Sequence, residues 1–458
     1  MITAVEALPR SPQRRTVLPG LIDAHLHLTS YAESLMDLDL TNLDGPAILA
    51  AIAAEDTKAA GGQWIRARHV AASSWSAIAD RRVLDRVTRR PLALWATDLH
   101  RLALNTTALS QLGVDASPTP PGGTIVRDSH GFATGALEER AAEEAARRIP
   151  PPSGDQIRHA IGLAIRKCQA VGLVGAASYE TPSGLEHLTA YGTDPTFALR
   201  LFQYGQDLAP ADRPGNIAPG LPIIGAKFFL DGTLGSRTAW MKEPFSDRGG
   251  CGTCRMLPDA ISVVAGLRAR GYVVSLHAIG DAAFAAALTL LQGQPGRVEH
   301  IQVIDPVDLD RVSPHLIASV QPAHLVGDRH EAASAWGERI RHAYPYRSLW
   351  ERGATLVFGS DAPVVSPDPL VGLQMAIDRR LGDEAAFGPE QALPLEVALA
   401  AYTSGPARTL GIGLGQIAPG APATLTVVDG DFSRRSERRT ATVAATVVAG
   451  EIVYGQLV

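Results

Sequence analysis

Leu18-Pro19-Gly20-Leu21-Ile22-Asp23-Ala24-His25-Leu26-His27 closes an apolar run with two histidines one residue apart. On a β-strand, positions i and i+2 face the same side, so His25 and His27 aim both imidazoles at one point. Neutral imidazole is a standard ligand for zinc and related divalent ions, and two side by side make half of a metal site. With 13 histidines in 458 residues, one such spacing is close to a chance event. The reading therefore turns on whether other strands supply the missing ligands.

Working outward, short apolar runs alternate with helical patterns through most of the chain, the signature of a parallel sheet. Eight candidate strands follow: Val17–His27, Leu173–Tyr179, Ala198–Tyr204, Ile223–Leu230, Tyr272–His277, Arg297–Val303, Ile317–Pro322 and Thr355–Ser360. Amphipathic segments lie between several of them, such as Asp155–Val171 behind Ser153 and Asp259–Arg270 closed by Gly271. Eight strand–helix units predict an α/β fold of the (β/α)8 TIM-barrel type, spanning 17–415. About 145 residues separate the first two strands, too many for one crossover. They contain strand-like runs of their own (Ala67–Ser74, Leu92–Thr97, Thr124–Arg127), so 29–151 reads as an inserted subdomain over the barrel mouth. The tail from Ile417 alternates with period two. Segments 1–16 and 416–458 are therefore expected to form a small accessory β-sandwich with an abbreviated N-terminal part.

Composition limits the function classes. Hydrophobic residues make up 46% and charged ones 19%, which suits a globular core. A net charge of −5 gives no electrostatic case for nucleic acid or anionic membranes as partners. Met1 to Pro19 carry charges and prolines where a signal peptide would be apolar, and no window has the length of a membrane span. A cytoplasmic protein with a small-molecule substrate is expected. A homodimer is compatible with a barrel of this size. Of three cysteines, Cys251 and Cys254 form one C-x-x-C without a second pair, read as a surface loop or a redox pair, and Cys168 reads as core.

In such barrels chemistry sits at the C-terminal strand ends. The first candidate strand ends in His25 and His27, the fifth in His277 and the sixth carries His300. The eighth ends in Asp361, and the fourth places Lys227 inside an apolar run. Taken singly, each has a bland explanation: a core histidine, a turn-capping aspartate, a lysine paired at the rim. Taken together, five strand ends deliver four histidines, an aspartate and a lysine to one mouth. An ammonium cannot ligate a metal, so Lys227 belongs to such a site only if it is modified.

The ordered set resembles the amidohydrolase superfamily of metal-dependent hydrolases, and within it the branch that includes N-substituted formamide deformylases. The carriers are Pro19-Gly-Leu-Ile-Asp-Ala-His-Leu-His27, Lys227-Phe-Phe-Leu-Asp-Gly-Thr-Leu-Gly-Ser-Arg-Thr-Ala239, His277-Ala-Ile-Gly-Asp281, Arg297-Val-Glu-His300, Ser319-Val-Gln-Pro322 and Gly359-Ser-Asp-Ala362. The inserted segment adds Gly62-Gln-Trp-Ile65, Asp98-Leu-His-Arg101 and Asp128-Ser-His-Gly-Phe-Ala-Thr-Gly135. Two departures concern only the accessory sandwich: few residues precede the first strand, and Ala421-Pro422-Ala423 lacks the usual acidic position.

The resemblance implies that His25, His27, Lys227, His277, His300 and Asp361 hold one or two divalent ions, zinc by expectation. Lys227 would be N6-carboxylated and lie between the ions. His25, His27 and Asp361 would serve one ion, His277 and His300 the other; a single ion with a plain Lys227 is the alternative. Asp361 is the expected catalytic proton carrier. The activity implied is hydrolysis of a non-peptide C–N bond, with a lyase, isomerase, esterase or lactonase on the same barrel as alternatives. For substrate contacts the candidates are Arg237, whose fork suits a carboxylate but equally suits bracing its own loop through Asp231 or Asp247, and the rim histidines His100, His130 and His324. Trp75 and Trp240 read as apolar walls or as buried packing.

Overall fold

The computed structural model describes residues 14–57, 63–97, 99–150, 152–380 and 382–457. The chain forms two compact units, one of residues 1–31 with 161–458 and the other of residues 32–160. The larger unit contains eight parallel strands, each hydrogen-bonded to its neighbour in sequence. They are β1 (Leu21–Leu26), β2 (Leu173–Glu180), β3 (Ala198–Tyr204), β4 (Leu221–Phe229), β5 (Val273–Ala278), β6 (Gly296–His300), β7 (Leu316–Val320) and β8 (Thr355–Phe358). This is the expected barrel.

The sheet closes between β8 and β1 through residues at and just past their ends. Asp361 N donates to His25 O at 2.7 Å, and His27 N donates to Ala362 O at 2.9 Å. The seam demands glycine at 359, because a Cβ there would lie 2.5 Å from His25 N and 2.7 Å from His25 Cβ. Closure and ligand placement are thus one piece of geometry.

The single strand expected over Val17–His27 is two strands. Arg15–Pro19 pairs antiparallel with Leu425–Asp429, whereas β1 begins at Leu21 in the barrel. Gly20 makes the break possible, since a Cβ there would meet Val174 Cγ2 at 2.6 Å and Thr424 Cγ2 at 2.9 Å. Strand β6 also stops earlier than expected, at His300, because His300 and Ile301 take φ of 76° and 46° and turn the chain. Strand β7 ends before Pro322, which opens a short 3-10 turn, Pro322–His324. The expected helices appear as Gly154–Ala170 and Ala260–Ala269. Ser153 and Gln156 cap the first reciprocally, at 2.8 and 3.3 Å.

Arg15–Pro19, Leu425–Asp429, Val443–Val448 and Glu451–Gly455 make a four-stranded antiparallel sheet of the termini over a core of Leu425, Val427, Ala445, Val447 and Leu457. Residues 1–13, where further N-terminal strand was expected, lie outside the described residues, as do Gly62 and Asp98 of the motifs quoted above.

The smaller unit has its own six-stranded mixed sheet: Leu38–Asp39, Ile65–Val70, Leu92–Ala96, Arg101–Leu104, Ala133–Glu139 and Gly123–Arg127, in that spatial order. The run expected as a strand over Ala67–Ser74 is a strand only to Val70. A helix over Ala72–Ile78 follows, burying Trp75 and Ile78 three residues apart. Trp75 is therefore core of this unit.

All three cysteines are free. Cys168 is buried, and burial pushes its thiol well up. Among the described residues no helix is long and apolar enough to cross a membrane.

Candidate metal centre

His25 lies near the end of β1 and His27 one residue past it, as the i, i+2 spacing requires. Each imidazole has its Nδ1 engaged away from the centre. His25 Nδ1 faces Glu299 Oε2 at 2.6 Å, and His27 Nδ1 faces the carbonyl of Tyr179 at 2.8 Å. Each Nδ1 donates to its acceptor, so Nε2 is the nitrogen turned toward the centre. Those two Nε2 atoms meet Asp361 Oδ1, at 3.3 Å from His25 and 3.1 Å from His27. Ligand atoms of the three residues all fall within 4.8 Å of one another. Asp361 reaches this point through a left-handed backbone, φ 60°, just past the seam.

His300 and His277 extend the cluster. The His300 ring centroid is 5.2 Å from that of His25 and 4.4 Å from that of His277. His277 Nε2 faces the carbonyl of Gly232 at 3.0 Å, which makes Nδ1 its free nitrogen. That Nδ1 and both nitrogens of His300 are buried without a hydrogen-bond partner. Buried polar atoms are rarely left unpaired, so this set of orphaned nitrogens fits a cation. Lys227 Nζ, from β4, lies 3.2 Å from His25 Nε2 and over the rings of Tyr179 and Phe229 at 4.7 and 5.0 Å. All six residues singled out from the strand ends therefore meet in one place.

Electrostatics prepares them for ligation. Burial, reinforced by Lys227, lowers His25 and brings His277 down to about 3. Burial and then His277 hold His300 well below the usual histidine range. Burial also lowers Lys227, against the pull of Asp361 and Glu299, and so favours the neutral amine. Burial alone would raise Asp361, but His25, His27 and His300 outweigh it and hold the carboxylate ionised. Neutral imidazoles beside an ionised carboxylate are the protonation states that a divalent cation requires.

Sequence reasoning missed the groups beneath the ligands. Glu299 is fully buried and accepts from His25, from Tyr179 OH at 2.8 Å, from Ser275 Oγ at 2.6 Å and from Arg297 Nε at 3.0 Å. Asp23, raised by burial to about 7, accepts from His25 N at 2.9 Å and from Ser360 N at 3.2 Å. Asp231, likewise raised by burial to about 7, accepts from Gly280 N and Trp240 N at 2.8 and 3.0 Å, and tethers the loop that follows β4. A signal existed. Asp23/His25, Ser275/His277 and Arg297/Glu299 are all i, i+2 polar pairs in apolar strands, and so share the inward face.

The substrate candidates separate. Arg237 commits its guanidinium to Asp247, with Nε at 3.0 Å from Oδ2, and to Glu331 at 2.5 Å, so it braces its own loop and offers no free fork. His100 belongs to the smaller unit, where its Nδ1 faces Glu139 at 3.0 Å. His130 is an exposed turn residue of that unit. His324 is buried beside the centre, 6.4 Å from the His300 ring, with Nε2 at 3.2 Å from the Ser360 carbonyl. Trp240 donates its backbone N–H to Asp231 and is half-buried.

Residues 14–454 match the amidohydrolase family. The chain belongs to the amidohydrolase family. It is accordingly an enzyme of a metal-dependent class that hydrolyses carbon–nitrogen bonds other than peptide bonds. It is 29% identical to the amidohydrolase-family protein YtcJ of Bacillus subtilis (strain 168), over 96% of this chain and 89% of the relative. It is 27% identical to the N-substituted formamide deformylase of Arthrobacter pascens, over 96% and 88%. In structure it is similar to an uncharacterized metal-dependent hydrolase from Pyrococcus horikoshii OT3, with TM-score 0.76 and 26% identity over 91% of this chain and 86% of the other.

Proposed function

We propose that this amidohydrolase cleaves a non-peptide C–N bond of amide or formamide type in a small molecule. The observation that carries the reading is the donor set: two Nε2 atoms and Asp361 Oδ1 converging within 4.8 Å, beside the unpartnered nitrogens of His277 and His300. His25, His27 and Asp361 would hold one ion, and His277 Nδ1 with His300 a second. Zinc suits this nitrogen and oxygen set. A divalent ion supplies two things to amide hydrolysis, an acidified water and a polarised carbonyl.

The chain supplies the rest. Asp361 takes a proton from the attacking water at a carboxylate oxygen and returns it to the leaving nitrogen, so that a neutral amine departs. Burial favours the neutral amine of Lys227, whose Nζ would add to CO2 with loss of a proton, and the carbamate so formed would offer oxygen ligands to the metal. His324, beside His300, would orient a substrate oxygen. The relationship to the formamide deformylase favours N-substituted formamides as the first substrates to try. Three free cysteines suit a reducing compartment and hence the cytoplasm.

The test is a panel of N-substituted formamides and acyl amides, assayed with zinc-loaded protein in heavy-oxygen water. Hydrolysis must place solvent oxygen in the acid product, and a lyase or isomerase would not. Mass spectrometry under native conditions should find Lys227 heavier by one CO2. A zinc-loaded protein inert to every amide would overturn the substrate class.

A further inference from the structure

The carboxylate of Glu299 divides its two oxygens between different tasks. Oε1 accepts three hydrogen bonds, from Tyr179 OH, Ser275 Oγ and Arg297 Nε, at 2.8, 2.6 and 3.0 Å. Oε2 faces His25 Nδ1 alone, at 2.6 Å. The group is locked from below: Arg297 Nη2 donates to Ala24 O at 2.8 Å and to Ser319 Oγ at 2.9 Å, and Glu299, Arg297, Ser275 and Ser319 are all 0% exposed. Tyr179 adds a second constraint, stacking on the His25 ring at 4.1 Å and 22°. Five barrel strands thus contribute to holding one imidazole.

From this we infer that Glu299 is a positioning residue for the metal centre: it fixes His25 as the Nδ1–H tautomer, with Nε2 aimed at the cation. The inference rests on the metal-centre reading above. Three donors converge on Oε1, so that position must be an acceptor. In Glu299→Gln the amide oxygen has to occupy it, which turns the amide NH2 toward His25 Nδ1. Two donors cannot face each other at that distance. His25 must therefore move its proton to Nε2, the atom that would ligate, or the amide must flip and break three buried hydrogen bonds. Because the flip costs those bonds, the proton moves, and a change of one atom disables ligation of a cation that Glu299 never touches. In Tyr179→Phe, by contrast, Oε1 loses one of three donors and the Oε2 contact to His25 stays.

The test uses the full chain with 15N-labelled histidine, first stripped of metal and then titrated with zinc against a competing chelator. In the metal-free wild type the His25 resonance, assigned by its loss in His25→Gln, should report a proton on Nδ1. Glu299→Gln should move that proton to Nε2 and weaken zinc binding by about 10–100-fold, the usual cost of removing an outer partner of a ligating histidine. Tyr179→Phe should change zinc affinity by less than about threefold while lowering the melting temperature, as loss of a purely structural bond does. Wild-type protein with His25 protonated on Nε2 overturns the inference, even if Glu299→Gln fails to fold. So does Glu299→Gln with wild-type zinc affinity, or Tyr179→Phe with an equal loss. Wild-type protein that binds no zinc overturns the metal-centre reading, whereas the tautomer measurement still decides the role of Glu299.

Discussion

His25 has one ring nitrogen on Glu299 and the other turned to Asp361, so its protonation, orientation and ligand atom are set by its neighbours. The same division of labour recurs at His27 with the Tyr179 carbonyl and at His277 with the Gly232 carbonyl. Asp361 is the group that both faces the two Nε2 atoms and can carry a proton. Asp361→Asn keeps its shape but not its charge or basicity, and kcat should fall by about 10²–10⁴-fold, measured by steady-state kinetics on zinc-loaded protein. A second prediction concerns His277, whose imidazole ionises near 3 when folded and near 6.5 when unfolded. Between those values the unfolded chain binds a proton that the folded chain refuses, so the contribution of His277 to stability is present above pH 6.5 and lost as pH falls toward 3. The stability difference between metal-free wild type and His277→Gln should be flat above pH 6.5. Below it, denaturant titration should show the difference moving against the wild type, by at most about 1.4 kcal/mol per pH unit.

At the scale of elements, the decisive features are strand ends and the seam. Gly359 lets β8 come within contact of the His25 backbone, so the seam and two ligands depend on one missing Cβ. Gly359→Ala should destabilise the protein by about 1–3 kcal/mol or more and lower zinc affinity as well, checked by denaturant unfolding and chelator competition. All eight strands were legible from their apolar runs, and the six polar residues at or near strand ends were legible because the barrel leaves only one face for chemistry. Boundaries were less so. The split at Gly20 depends on Val174 and Thr424, which are distant in sequence, and the early end of β6 depends on a left-handed His300 that no local pattern announces. Glu299 went unread because its role depends on four partners from four different segments. Arg237 was read as a free fork or a brace, and only Asp247 and Glu331 decide between them.

At the scale of the whole molecule, every proposed ligand comes from the unit of residues 1–31 and 161–458, which closes a barrel and adds the terminal sheet. Residues 32–160 form a separate body with its own sheet and two apolar clusters. A cation that binds only the folded centre stabilises the fold by mass action, by about 2.7 kcal/mol at one hundred times its dissociation constant. Zinc should therefore raise the melting temperature and a chelator lower it, with both effects lost in a His25→Gln, His27→Gln double variant. Elemental analysis of the protein purified without chelator decides whether the centre holds a metal. One or two divalent ions per folded chain are expected, falling in that double variant; a folded wild-type chain that carries no divalent ion and takes up none would rule the metal centre out.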